Sequence, residues 1–190
     1  MDDKLNIVLI EATTRKLRRS ITVARLVEEI GKEFNEINTI FVDIDDYMPL
    51  PGEGNDPESQ DKRWIEINKK SDGYFIVSPE YNHSFPGSLK MLMDNDLGNY
   101  FHKPVVIAGV SIGQFGGVRM IENLLSTLRM LGLITTNIDV PFPLVGKTFD
   151  GSEEGNKLLE VQKERIRKAF IELIWLSKVL KSGRQGVPFS

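Results

Sequence analysis

Gly73-Tyr74-Phe75-Ile76-Val77-Ser78-Pro79-Glu80-Tyr81-Asn82-His83-Ser84-Phe85-Pro86-Gly87-Ser88-Leu89-Lys90 reads as a strand, a loop and the start of a helix. The run Gly73–Ser78 is apolar without alternation, the pattern of a strand buried on both faces. Pro79 and Pro86 punctuate the loop that follows. From about Gly87 the spacing changes to that of a helix, with Leu89, Leu92 and Met93 on one face.

The same unit recurs on both sides of this stretch. Upstream, Leu5–Ile10 is a short β-branched apolar run, and Ser20 is placed as the N-cap of a helix reaching about Phe34 on Val23, Val27 and Ile30. Thr39–Val42 reads as another strand. Asp43 to Asp61 holds seven acidic residues and no basic ones, and reads as an extended acidic loop before a helix from about Glu58 to Lys70. Downstream, Pro104–Val110 is a fourth strand, and a glycine-rich loop from Ser111 to Gly117 precedes a helix carrying Ile121, Leu124, Leu125, Leu128 and Leu131. Leu133–Val140 reads as a fifth strand ended by Pro141 and Pro143. A final helix from about Glu153 to Leu180 carries a stripe of Leu159, Ile166, Leu173 and Leu180, widened by Phe170 and Ile174.

Five apolar strands alternating with five helices predict an α/β three-layer sandwich around a five-stranded parallel sheet. Strand number favours the flavodoxin-like order 2-1-3-4-5, in which ligands bind beyond the carboxyl ends of the strands beside strand 1. Residues 1–190 are expected to form one domain. The loops after strands 1, 3 and 4 are therefore the ones expected to carry the site.

Composition narrows the chemistry. The chain has 190 residues and no cysteine, which excludes disulfides, thiolate nucleophiles, iron–sulfur clusters and cysteine-ligated zinc. No apolar run approaches the ~20 residues of a membrane helix, and the acidic start Met1-Asp2-Asp3-Lys4 is unlike a signal peptide, so a cytoplasmic protein without a membrane partner is expected. The net charge of −3 argues against a nucleic-acid partner. Between Glu11 and Ser20, however, Arg15, Lys16, Arg18 and Arg19 form a basic island, suited to a compact anion such as a phosphate group.

Several signatures fail on context. Gly109-Val110-Ser111-Ile112-Gly113 matches a nucleophile elbow, yet His83 and His102 both precede Ser111, where that hydrolase fold needs a later histidine. Gly146-Lys147-Thr148 looks like the end of a P-loop, but Pro141 stands where the first glycine belongs. A phosphoacceptor receiver would need an acidic pair after strand 1 and an aspartate after strand 3, where this chain has Glu11 alone and then Ser78-Pro79. What survives is Thr13-Thr14-Arg15 with Ser20, where hydroxyls, helix N-terminal amides and a guanidinium make a phosphate cradle.

The segment Pro79-Glu80-Tyr81-Asn82, with Pro86-Gly87-Ser88-Leu89-Lys90 and Asp94, closely resembles the signature of the NAD(P)H-dependent FMN reductase family, whose flavodoxin-like members include quinone, azo-dye and chromate reductases. Ala12-Thr13-Thr14-Arg15 and Ser20 are similar to the family's phosphate loop, with Ala12 where glycine is usual and Glu11 before it. Ser111-Ile112-Gly113 and Gly116-Gly117 resemble its flavin-edge loop. The resemblance implies an FMN-dependent oxidoreductase with NADPH or NADH as co-substrate. Hydride would pass to the flavin and electrons then to a small acceptor: a quinone, azo compound, metal oxyanion or free flavin. Thr13, Thr14, Arg15, Arg18 and Ser20 would serve the phosphate end of the site, Arg18 or Lys16 being candidates for the 2′-phosphate of NADPH. Pro79, Glu80, Tyr81 and Asn82 would line the ribityl chain and ring, largely through backbone groups, and Ser111 with Gly113 would close the other edge. No catalytic side chain and no metal ligand is implied. A flavodoxin-type electron carrier and a flavin-free regulatory descendant are the alternative readings. The resemblance also implies a homodimer or homotetramer, for which Met91, Leu97, Met120 and Met130 offer apolar surface and the Asp45–Pro57 stretch a loop to border a partner's flavin.

Overall fold

A computed structural model describes residues 4–47 and 60–187. The elements run β1 (Leu5–Glu11), α1 (Ser20–Gly31), β2 (Ile37–Asp43), α2 (Lys62–Lys70), β3 (Gly73–Pro79), α3 (Gly87–Asp94), β4 (Pro104–Val110), α4 (Val118–Met130), β5 (Ile134–Thr135), β6 (Val140–Phe142), α5 (Val145–Thr148) and α6 (Glu153–Gly186). A single 3-10 turn, Ile44–Asp46, follows β2. Most of the acidic stretch, including the expected helix start at Glu58 and most of the Asp45–Pro57 loop, lies outside the described residues.

Among the described strands every pairing is parallel, in the order β2-β1-β3-β4-β5, as the strand count predicts. Successive side chains alternate across the sheet. Leu5, Ile7 and Leu9 join the core under α1 and α6, while Val8 and Ile10 join the core under α2, α3 and α4. β3 and β4 divide in the same way, with Phe75 and Val106 on the first face and Tyr74 and Val105 on the second. Burial on both faces is the reason these strands carry no polar alternation.

The fifth strand departs from expectation. It is split into β5 and β6, both paired with β4, and residues 136–139 bridge a gap that β4 spans with Val106 and Ile107 alone. Thr136 turns the chain there, its Oγ1 donating to the Ile138 carbonyl at 3.1 Å. An edge strand has a partner on one side only, so such an interruption costs few hydrogen bonds. The edge position also tolerates Pro141 inside β6. Helix ends shift too: α1 stops at Gly31, and α6 continues past Leu180 to Gly186. Among the described residues no helix is long and apolar enough to cross a membrane.

Candidate functional site

The carboxyl ends of β1, β3 and β4 open on a cavity of about 590 Å³. Cofactor sites fall within roughly 300–1,000 Å³. Arg15, Arg18, Ser20, Pro79, Glu80, Tyr81, Ser111 and Gly113 all line it, so eight of the residues singled out from sequence converge on one space. Thr13, Thr14 and Asn82 do not line it.

The first loop is organised around Glu11, the last residue of β1. Its carboxylate is fully buried and accepts the Ser20 hydroxyl at 2.5 Å and the Thr13 amide at 3.3 Å. Arg18 Nε lies 3.0 Å from the same carboxylate, and the Arg18 guanidinium also donates to Asp43. Burial pushes the Glu11 carboxyl above the usual carboxylate range, against the opposing pull of Ser20, Thr13 and Arg18. Ser20 is consequently not the N-cap of α1. Arg19 holds that place, and the Ser20 side chain is turned inward to the carboxylate. Arg18 is likewise spoken for, since two carboxylates hold its charge inside the loop. Arg15, Lys16 and Arg19 remain on the exposed rim. Between Lys16 and Arg18, Leu17 is fully exposed at φ 59°, a conformation that branched side chains seldom adopt outside functional loops.

Thr13 supports the cavity from behind. Its hydroxyl is 3.1 Å from the Tyr81 hydroxyl and accepts the Arg15 amide at 3.3 Å. The Arg15 guanidinium sits 5.6 Å from the centre of the Tyr81 ring. The loops after β1 and β3 are thus joined through Thr13, Arg15 and Tyr81.

In the second loop, Tyr81 and Ser84 exchange backbone hydrogen bonds at 2.8 and 2.9 Å across Asn82 and His83. Both of these residues have positive φ, as a type I′ turn requires. Asn82 therefore shapes the turn and is set back from the cavity. His83 ties the turn to α4: its Nε2 is 3.0 Å from Arg119, and its carbonyl accepts from Asn123 at 2.8 Å. Two backbone amides of this loop are already committed, that of Glu80 to the Val110 carbonyl and that of Tyr81 to the Ser84 carbonyl. The Glu80 side chain accepts the Met120 amide at 3.4 Å, which places a carboxylate on the first turn of α4, where the helix dipole favours it.

The third loop is held by its own residues and by the segment after β6. Ser111 Oγ donates to the Gly113 carbonyl at 3.0 Å, and the Leu144 amide donates to that same carbonyl at 3.0 Å. Gly116 and Gly117 have φ of 63° and 80°. A Cβ on Gly117 would lie 2.8 Å from the Gly109 backbone, so this close approach of loop to strand demands glycine. At Gly113 a Cβ would meet nothing within 4 Å, because that side of the loop is open.

Leu17, Ile112, Phe115 and Val145 also line the cavity, and sequence reasoning missed them. Leu17, Ile112 and Phe115 are exposed apolar residues, and nothing in a linear pattern separates those from core residues. Val145 arrives from α5, which follows the last strand. A basic side at Arg15, a half-apolar wall and an open edge at Gly113 fit a ligand that joins a flat aromatic system to a phosphate.

The sequence profile of the family described as NADPH-dependent FMN reductase matches residues 5–144. A quinone reductase of Escherichia coli K12 is 32% identical over 147 residues, covering 72% of this chain and 76% of that protein. Among solved structures, an oxidoreductase from Corynebacterium diphtheriae superposes with a TM-score of 0.70 at 17% identity, over 93% of this chain and 98% of the other. A flavoenzyme NAD(P)H:(acceptor) oxidoreductase from Paracoccus denitrificans gives 0.67 at 20% identity, over 90% and 97%. Both superpositions support the flavodoxin-like architecture.

Proposed function

Because the chain belongs to the NADPH-dependent FMN reductase family, we propose that the cavity above β1, β3 and β4 holds FMN, with its phosphate at the Arg15 side and its ring between Tyr81 and the Ser111–Gly113 loop. The protein is an FMN-dependent oxidoreductase using NAD(P)H. Bound FMN supplies the redox chemistry, and the chain supplies position, charge and exclusion of water. Arg15 counters the phosphate charge, with Thr14, Ser20 and the Thr13 hydroxyl shaping that end. Pro79, Glu80 and Tyr81 form one wall. Ser111 and Gly113 form the other edge, where the absence of a side chain at Gly113 leaves access for the nicotinamide and then for a small acceptor. Arg18 is a positioning residue that acts through Glu11. No side chain is assigned a proton-transfer role.

Quinones and azo compounds are the acceptor classes this reading favours, in a cytoplasmic protein whose residues 1–190 act as one domain. Assembly through the exposed Met91, Leu97 and Met130 completes it. Met120 leaves that set, because it is buried in the core beneath α4. The observation that carries the reading is the convergence of Arg15, Tyr81 and Gly113, from three different loops, on one cavity.

The decisive experiment is anaerobic. Protein purified with FMN should show a bound-flavin spectrum that NADPH bleaches within seconds and a quinone restores. A flavin that stays oxidised with NADPH would indicate an electron carrier, and the lack of any bound flavin would indicate a regulatory descendant.

A further inference from the structure

A second cavity, of about 300 Å³, opens at the amino ends of β1, β3 and β4, the opposite edge of the sheet from the flavin cavity. Five cations line it: Lys69 and Lys70 at the end of α2, Lys103 just before β4, and Lys181 and Arg184 on α6. Asp72, just before β3, is the one carboxylate among its lining residues. The chain as a whole has a net charge of −3, so this concentration of positive charge is local. A concave site lined by one sign of charge gathers ions of the other sign.

Asp72 does not neutralise this set. Its Oδ2 accepts the Asn6 amide and the Lys181 ammonium, each at 3.0 Å, and its Oδ1 accepts from Arg184 at 3.2 Å. It thereby holds two of the cations at the cavity and is spent on them. Lys103 is different. It is only 6% exposed, and its ammonium donates to the Asn68 carbonyl at 2.7 Å and to the Ser71 hydroxyl at 3.0 Å. Both acceptors are neutral, and an ammonium carries a third proton. Among the described residues no carboxylate pairs with it: Asp72 is taken by Lys181 and Arg184, and Asp72 and Asp96 act on Lys103 only at longer range. Burial, with Arg184 nearby, accordingly pushes the Lys103 ammonium down to about 8. A buried charge is ordinarily matched by an opposite one, and here the match is missing.

We propose that this cavity binds a compact oxyanion, a phosphate or sulfate group, held by Lys103 and Arg184 with Lys69, Lys70 and Lys181 supplying further charge. The depth of Lys103 selects a compact group, because a flat anionic surface does not reach a side chain so far buried. The group can be a free anion or the end of a phosphate ester. The site lies at the other end of the strands from Arg15, so the proposal is independent of the flavin assignment.

The test is a proton–nitrogen NMR titration of the full chain with sodium sulfate, at an ionic strength held constant with sodium chloride. The amide signals of Ser71, Asp72 and Lys103 should shift and saturate. Signals are read residue by residue, so sulfate at Arg15 is seen separately, and failure of the flavin assignment leaves this result standing. Lys103→Gln should weaken sulfate binding about tenfold to a hundredfold. Reversing the exposed pair, Lys69→Glu with Lys70→Glu, should weaken it several-fold without touching the core, and decides the matter if Lys103→Gln fails to fold. Sulfate keeps both its charges throughout, so wild-type affinity should fall as pH rises through about 8 and Lys103 loses its proton. Asp72, Tyr74, Asp96, His102 and Arg184 surround Lys103, with Lys69, Lys70 and Lys181 across the cavity. Lys103→Gln retains all of them, and should lose this pH step. Glycerol phosphate in the same titration separates the sources: tighter binding than sulfate identifies an ester, and equal or weaker binding a free anion. Shifts that never saturate, or that spread over the other lysines of α6, would overturn the proposal. So would affinity unchanged in both variants, or binding seen only with anionic lipid vesicles.

Discussion

Glu11 sets the electrostatics of the first loop. A buried carboxylate needs partners, and this one takes the Ser20 hydroxyl, the Thr13 amide and the Arg18 guanidinium. Arg18 is thereby withdrawn from any incoming anion, and Arg15 is left to meet it. Arg15→Ala is expected to weaken FMN binding about tenfold to a hundredfold, by flavin fluorescence titration, with an unchanged thermal midpoint. Arg18→Ala should behave in the opposite way. It strands a buried carboxylate and costs about 3 kcal/mol or more in urea unfolding, while the NADPH-to-NADH preference stays as in wild type. The raised Glu11 pKa also has a sign. The folded state holds this proton more tightly than the unfolded chain, so the ionised group subtracts stability as pH rises from about 4.5 through the folded value. Toward acid the charge disappears and the loop becomes more positive. FMN affinity should therefore tighten more with falling pH in wild type than in Glu11→Gln. Identical profiles would remove Glu11 from the phosphate environment.

Two connections between elements decide the shape of the cavity. The loop from β4 to α4 doubles back on its own strand, with the Gly117 backbone against that of Gly109. Gly117→Ala is expected to cost about 2 kcal/mol or more in urea unfolding, because it adds positive-φ strain to a backbone overlap. Loss of flavin binding should accompany it. The second connection is the interruption between β5 and β6, which brings Val145 of α5 to the cavity. Neither connection follows from periodicity. An amphipathic count locates α4 well, because Ile121, Leu124 and Leu128 repeat at helical spacing and are buried as that spacing requires. The same count reads Leu133–Val140 as one strand, because an edge strand broken at Thr136 keeps its apolar residues.

For the molecule as a whole, the exposed methionines bear on assembly. Met91 and Met130 on the α3 and α4 side are exposed, whereas Met120 in the same region is buried. Light scattering should report a mass above the 21.5 kDa of one chain. Substituting Met91 and Met130 together by glutamate should reduce that mass without lowering the stability of the subunit. Met120→Ala should do the reverse, with a loss of about 2–5 kcal/mol from the cavity it opens and no change in mass beyond that caused by unfolding.

The layers, the strand order and the identity of the three loops that line the cavity are legible along the chain. Those features rest on short-range patterns: unbroken apolar runs for strands buried on both faces, spacings of three and four for helices, and Pro79-Glu80-Tyr81-Asn82 with its downstream Pro-Gly. The tertiary structure alone decided which residues of those loops face the cavity. Ser20 and Arg18 read as phosphate ligands along the chain; both line the cavity, and a carboxylate nine residues before Ser20 also holds their side chains. Asn82 belongs to the most recognisable motif and is spent on a turn, while Phe115 and Val145 carry no local signal and line the site. Hydrogen bonds and ion pairs saturate through space, so a side chain's availability depends on which neighbours reach it first, and the chain's linear order does not record that.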